Sequence, residues 1–335
     1  MTQPIIIIVS LFPVFVFLVA LIFLDSFKLV NLRAVLQTIL VGCAAAALCL
    51  FLNSGLMNWL AIYVKIYVRY VAPVTEELFK AIYLVYLIRA GKVGFMVDAA
   101  IYGFALGAGF ALVENVYYLY SLHSSNILLW LVRGFGTAIM HGGTTAVFGM
   151  VAKSWTERKS SEAFLNFVPA FLFAIVVHSA FNHFILPPVL TTLILMISLP
   201  TLILFVFEQS ERATRRWLGV GFDTDVELLD ILNTGKISET RIGQYLQTLR
   251  AHFPGEIVAD MLCLLRIHLE LAIRAKGILL MRQTGFKPAT DPEIKEKFIE
   301  LSYLEKSIGK TGQLAILPFL HTSRRDLWQL YMLGK

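Results

Sequence analysis

Long apolar runs separated by short charged segments fill the first two thirds of the chain. Residues 5–24 are apolar except for Ser10 and Pro13, which predicts a helix long enough to cross a bilayer at about 1.5 Å rise per residue. Further spans are expected over 34–52, 73–88, 98–120, 127–151, 164–185 and 189–207, seven in all. Between the second and third, 59–70 carries Lys65 and Arg69 four residues apart on one face of an aromatic, apolar segment, which suits a helix lying at the membrane interface. Pro73 is expected to break the chain before the third span. Beyond Phe207 the pattern stays helical but turns soluble. In 256–281 the apolar positions are interrupted by Arg266, His268, Glu270, Arg274 and Lys276, as in the central helix of a small bundle. Asp223, Ser238 and Asp291 read as N-caps, Pro254 and Pro292 as first-turn residues, and Gly235 and Gly285 as stops.

Composition agrees with this division. A hydrophobic content of 57% and a mean hydropathy of +0.71 exceed what a soluble globular chain carries. Of 52 Lys, Arg, Asp and Glu residues, 34 fall in 208–335 and 18 in 1–207. The expected fold is therefore all-α, with a membrane domain over 1–207 and a cytoplasmic helical domain over 208–335 that offers a surface for a cytoplasmic partner. Lys28, Arg33, Arg89, Lys92, Lys153, Arg158, Lys159, Arg212, Arg215 and Arg216 fall on one side of the spans, against Lys65 and Arg69 on the other. Positive-inside asymmetry then puts the N-terminus outside and the C-terminus in the cytoplasm. The first span has no basic segment before it and no small-residue cleavage site after it, so it is expected to be retained. With no organelle-targeting segment, the expected location is a prokaryotic plasma membrane. Cys43, Cys49 and Cys263 form neither a disulfide framework nor a zinc-finger spacing. The net charge of +6 comes without a basic patch interleaved with aromatics, so no nucleic-acid partner is expected.

Four polar sites interrupt the apolar helices. Glu76, Glu77 and Lys80 sit where lipid is expected; such charge costs roughly 2.5–3.5 kcal/mol per residue on insertion scales and is kept for pairing, a wet cavity or chemistry. Glu76 and Lys80 are spaced i,i+4 and share a face, with Glu77 turned by about 100°. Replacing Lys80 is accordingly expected to be milder than replacing either glutamate. Ala100, Gly103, Gly107, Ala111 and Glu114 form one stripe, so the face that lets a neighbouring helix approach also delivers a carboxylate. His141 shares a face with Gly134, Ala138, Thr145 and Gly149, and Arg133 lies two turns before it as a counter-charge or a snorkelling residue. His178 and Asn182 stack at i,i+4, both able to donate to an oxyanion, whereas His183 points elsewhere near the helix end. Going by the expected spans, Glu76, Glu77, Glu114, His178 and Asn182 fall in the outer half of the membrane and His141 nearer its middle. Acids, imidazoles and an amide gathered there suit water activation and a tetrahedral intermediate at an amide. Each site also has a plainer reading as helix packing or an internal ion pair.

Taken in order, Glu76-Glu77-x-x-Lys80, the run from Gly107 to Glu114-Asn115, His141 followed by Gly149, and His178-x-x-x-Asn182 resemble the motifs of the PrsW family of intramembrane proteases. The resemblance covers about 70–185. It extends more distantly to the membrane proteases of prenylated CAAX proteins and bacteriocins, whose basic residue follows the paired glutamates one position later than Lys80 and whose second motif emphasises a histidine in place of Glu114-Asn115. The resemblance implies hydrolysis of peptide bonds in membrane-anchored protein substrates within the lipid bilayer. It assigns Glu76 or Glu77 as general base, His141 as its partner, and His178 with Asn182 to the oxyanion. His141, His178 and Glu114 could alternatively supply a three-ligand zinc set with an open water position. Because a His-Glu-x-x-His helix is absent, the expectation is a glutamate-activated water without an obligatory metal. A proton- or ion-coupled transporter, relaying protons through buried Glu and His, is the rival from another class, although no repeat relates 1–105 to 106–207. A nonenzymatic membrane scaffold is a further rival.

Overall fold

A computed structural model describes all residues except 1–2, 24–29, 123–125, 159–163, 287–290, 321–332 and 334–335. Lys28 and Lys159, two of the basic residues counted above for orientation, lie outside the described residues. Among the described residues every regular element is helical. The chain divides into two compact units, Met1–Ser210 and Glu211–Lys335.

Helices form at all seven stretches expected to span: α1 (Gln3–Phe23), α2 (Leu32–Leu60), α4 (Ala72–Arg89), α5 (Met96–Ser121), α6 (Ile127–Arg158), α7 (Val168–His183, after a 3-10 turn at Phe164–Phe167) and α8 (Pro188–Asn233). By length and composition, four among the described residues can cross a membrane: Leu32–Leu60, Met96–Ser121, Phe164–His183 and Pro188–Asn233. A shorter apolar helical stretch runs over Ile5–Ala20. The chain is a membrane protein whose first unit is centred on α5. Nearly every residue of α5 from Asp98 to Ala111 is buried, because small side chains let α6 on one side and α2 on the other close on its backbone. A Cβ on Gly107 would stand 2.2 Å from the His141 carbonyl oxygen, so at that level α5 and α6 touch backbone to backbone. Phe104, Ile101, Ala105, Ile139 and Val147 fill the core beside this contact.

Pro73 does not break the chain. A short α3 (Val64–Ile66) passes through a π-helical stretch, Tyr67–Val71, directly into α4, which begins at Ala72 and includes the proline in its first turn. The wider turn changes the register ahead of a residue that has no N–H to give, and so absorbs the proline where a regular helix would kink.

In the second unit, α9 (Arg241–Leu249), α10 (Gly255–Gln283) and α11 (Glu293–Ile316) enclose a core of Leu246, Met261, Leu264, Leu271, Leu304 and Ile308. Gly235 and Gly285, at φ of 73° and 83°, follow the ends of α8 and α10 as expected of stop residues. Asp291 accepts from the Glu293 amide at 3.0 Å and so caps α11. Two expected caps fail. Asp223 lies inside α8, which runs past the change from apolar to polar sequence without interruption, since Glu and Arg are about as helix-forming as Leu. Thr240, not Ser238, caps α9, accepting from the Gly243 amide at 3.1 Å. Within this unit Asp225 and Lys276 form a buried ion pair at 2.6 Å.

Candidate active site

The close approach of α5 and α6 brings Glu114, two turns after Gly107, against the His141 ring: its Oε2 lies 2.6 Å from Nε2. On the other side of that ring Lys80 of α4 reaches Nδ1 at 3.0 Å. An ammonium only donates, so Nδ1 accepts from Lys80 and the Nε2 proton goes to Glu114. Arg133 is the counter-charge of Glu114, at 3.2 Å, and lies over the Tyr118 ring. Lys80 is fully buried and also bonds Glu77 at 2.5 Å while facing the Phe110 ring. This corrects the pairing read from spacing. Positions i,i+3 and i,i+4 are equally near on a helix, and the carboxylate that turns inward with Lys80 is Glu77.

Glu77 shares the same oxygen with Nδ1 of His178 on α7, at 2.8 Å. The His178 Nδ1 proton therefore points at Glu77, and Nε2 faces Glu76, whose Oε2 is 3.8 Å away. The two imidazoles meet edge to face with centroids 4.8 Å apart. One donor atom each from Glu76, His141 and His178 lies within 4.8 Å of the others. That gathering comprises two nitrogens and a carboxylate oxygen from three helices, a donor chemistry that suits a catalytic zinc with a fourth position open. It differs from the set read from sequence in having Glu76 where Glu114 was placed. Glu114 instead sits behind His141 as Glu77 sits behind His178.

Three residues that the sequence did not mark complete the site. Asn53 of α2 donates its amide to Glu76 Oε1 at 3.3 Å, and its own oxygen accepts from the hydroxyls of Tyr67 at 2.9 Å and Thr75 at 2.8 Å. Those hydroxyls fix which way the carboxamide faces, and the carboxamide in turn aims Glu76. Asn53 falls one residue past the expected end of the second span, and a lone amide at the polar end of an apolar run gives little signal. Asn53→Leu is expected to reduce turnover about tenfold, in line with the loss of a hydrogen bond to a charged group, while the fold persists. Cleavage kinetics beside a melting curve check this; unchanged turnover would remove Asn53 from the site. Asn182 stands apart, its amide on the Val68 carbonyl at 2.9 Å. His183 Nδ1 meets the Ser179 carbonyl at 2.6 Å, and its ring packs on Tyr70.

Every one of these side chains lies inside a recognisable stretch: a protein-family model described as PrsW family intramembrane metalloprotease matches residues 31–207, more than half of the chain. The chain belongs to the PrsW family. No curated protein and no solved structure matches it. PrsW membership makes the chain a membrane peptidase, which decides between the protease reading and its transporter and scaffold rivals. The four motifs that carried the resemblance all lie within the matched region.

Proposed function

We propose that this PrsW-family chain is a metal-dependent intramembrane endopeptidase that cleaves membrane-anchored proteins, and that its metal would be held by Glu76, His178 and the Nδ1 lone pair of His141, which Lys80 would release while keeping its bond to Glu77. The observation that carries the reading is the convergence of those three donors within 4.8 Å in a chain whose family is described as metalloproteases. That description favours a metal over the metal-free water that the absent His-Glu-x-x-His motif had suggested, and the donor set suits zinc. The chemistry a zinc ion supplies when bound is a water acidified to about neutral pH and a polarised scissile carbonyl.

The chain's own groups divide the remaining work. Glu77 accepts the hydrogen bond of His178 Nδ1–H and so keeps the Nε2 lone pair turned inward. Lys80 neutralises Glu77, which is thereby unavailable as a base. Glu114, paired with Arg133, accepts from His141 Nε2–H and so sets the tautomer of that ring as Glu77 sets that of His178. Seven spans, in α1, α2, α4–α7 and the first part of α8 over 189–207, are assigned to the bilayer, with the N-terminus outside and the second unit in the cytoplasm, as basic-residue asymmetry supports.

Co-expression with a set of tagged single-span proteins tests the reading. Wild type is expected to generate fragments that vanish in His141→Ala and His178→Ala, and purified protein is expected to lose activity to a chelator and regain it with zinc. Cleavage that persists after complete metal removal would restore the metal-free mechanism. For topology, a cysteine introduced in the second unit is expected to resist an impermeant reagent applied to intact cells; labelling from outside would reverse the assignment.

A further inference from the structure

The π-helical stretch ahead of α4 leaves a backbone group without a helical partner. Ala72 gives its N–H to the Tyr67 carbonyl, five residues back, so it is not available to Val68. The next residue is Pro73, which has no N–H. In a π register Pro73 would have served Val68, and in an α register Arg69. Both carbonyls are instead met from α7: Asn182 Nδ2 donates to Val68 O at 2.9 Å, and Ser179 Oγ donates to Arg69 O at 2.7 Å. Arg69 closes the contact in the other direction, its guanidinium donating to the His183 carbonyl at 3.2 Å. In apolar surroundings an unmet carbonyl is costly, so these bonds hold the two helices in one register.

That register bears on the site. Ser179 follows His178 directly and Asn182 lies one turn beyond it, while Glu77 lies one turn after Pro73. A slip between α4 and α7 would separate His178 Nδ1 from Glu77, now 2.8 Å apart. We propose that Ser179 and Asn182 are positioning residues that cap the carbonyls Pro73 leaves bare, and so fix where His178 meets Glu77. This gives Asn182 a different task from the oxyanion contact implied by resemblance. The inference rests on the proposed site for its effect on turnover alone; the clamp is read separately from stability.

The test restores the missing donor. Pro73→Ala returns an N–H to the turn that lacks one, so it is expected to compensate for Asn182→Ala. With full-length protein in detergent, thermal unfolding after metal removal and cleavage kinetics after zinc reloading are measured for both single variants and the double variant. Asn182→Ala is expected to lower Tm by a few degrees and kcat about tenfold with KM within twofold. Adding Pro73→Ala is expected to recover most of both, and Ser179→Ala to show the same coupling more weakly. Additive effects in Tm would overturn the clamp whether or not the chain proves to be a metal-dependent protease. An unshifted Tm with kcat down by about 10²–10³ and no recovery would return Asn182 to the oxyanion. Should Asn182→Ala not fold, Asn182→Leu keeps the volume without the donor and is read in the same way.

Discussion

Glu76→Gln is expected to abolish cleavage, by at least about 10³-fold in kcat/KM or roughly 4 kcal/mol of transition-state stabilisation, and to strip bound zinc while leaving the melting temperature close to wild type. The fold tolerates the change because glutamine retains an oxygen for Asn53, which donates to Oε1 of the carboxylate. That contact then turns the new NH₂ toward His178, so N–H groups stand where a lone pair is needed. Metal analysis on purified protein alongside a cleavage assay reads both consequences. Zinc retained with activity lost would make Glu76 the base instead of a ligand, and activity retained would remove it from the site.

Lys80→Met is expected to be among the most destabilising single changes in the first unit, by about 3–5 kcal/mol. Lys80 is wholly buried, and without it the Glu77 carboxylate remains buried with His178 as its hydrogen-bond partner, while His141 Nδ1 loses its donor. Glu77→Gln combined with Lys80→Met removes both charges and is expected to be milder than Lys80→Met alone, since a pair replaced together leaves no stranded charge. Reversible unfolding in mixed detergent micelles orders the variants. If Lys80→Met melts with wild type, the ion pair does not carry the stability assigned to it.

How much of this was legible in the sequence differs from residue to residue. The helices were, because apolar runs of bilayer length have few other uses; so were His141, His178, Glu114 and the paired glutamates, whose polarity stands out against those runs. The partner of Lys80 was not. Glu76 and Glu77 lie within reach at i,i+4 and i,i+3, and the choice between them depends on which side α6 and α7 occupy. Asn53 was hidden because hydropathy falls before the helix ends: α2 continues to Leu60. The same gap between polarity and helicity concealed the length of α8, where Asp223 read as a beginning but is a point along the way. The smooth passage through Pro73 was illegible for a different reason. The donors that make it tolerable, Ser179 and Asn182, come from more than 100 residues later in the chain.

Sequence distance of that kind has a consequence for biosynthesis. The acidic helix α4 is made before the helices that satisfy it: His141 lies 61 residues beyond Lys80, and His178 lies 101 beyond Glu77. While the chain is being made, Glu77 has Lys80 on its own helix and Glu76 has Asn53 on the preceding one, and nothing yet occupies the other side of either carboxylate. In the proposed topology α4 is therefore a poor guest of the bilayer until α6 and α7 arrive, because charged side chains enter a membrane stably only in company. Assembly of the proposed site and completion of the bundle become a single event. A chain that stalls before α7 lacks the imidazole partner of Glu77 and one of the three gathered donors, so no half-built bundle carries the proposed site complete.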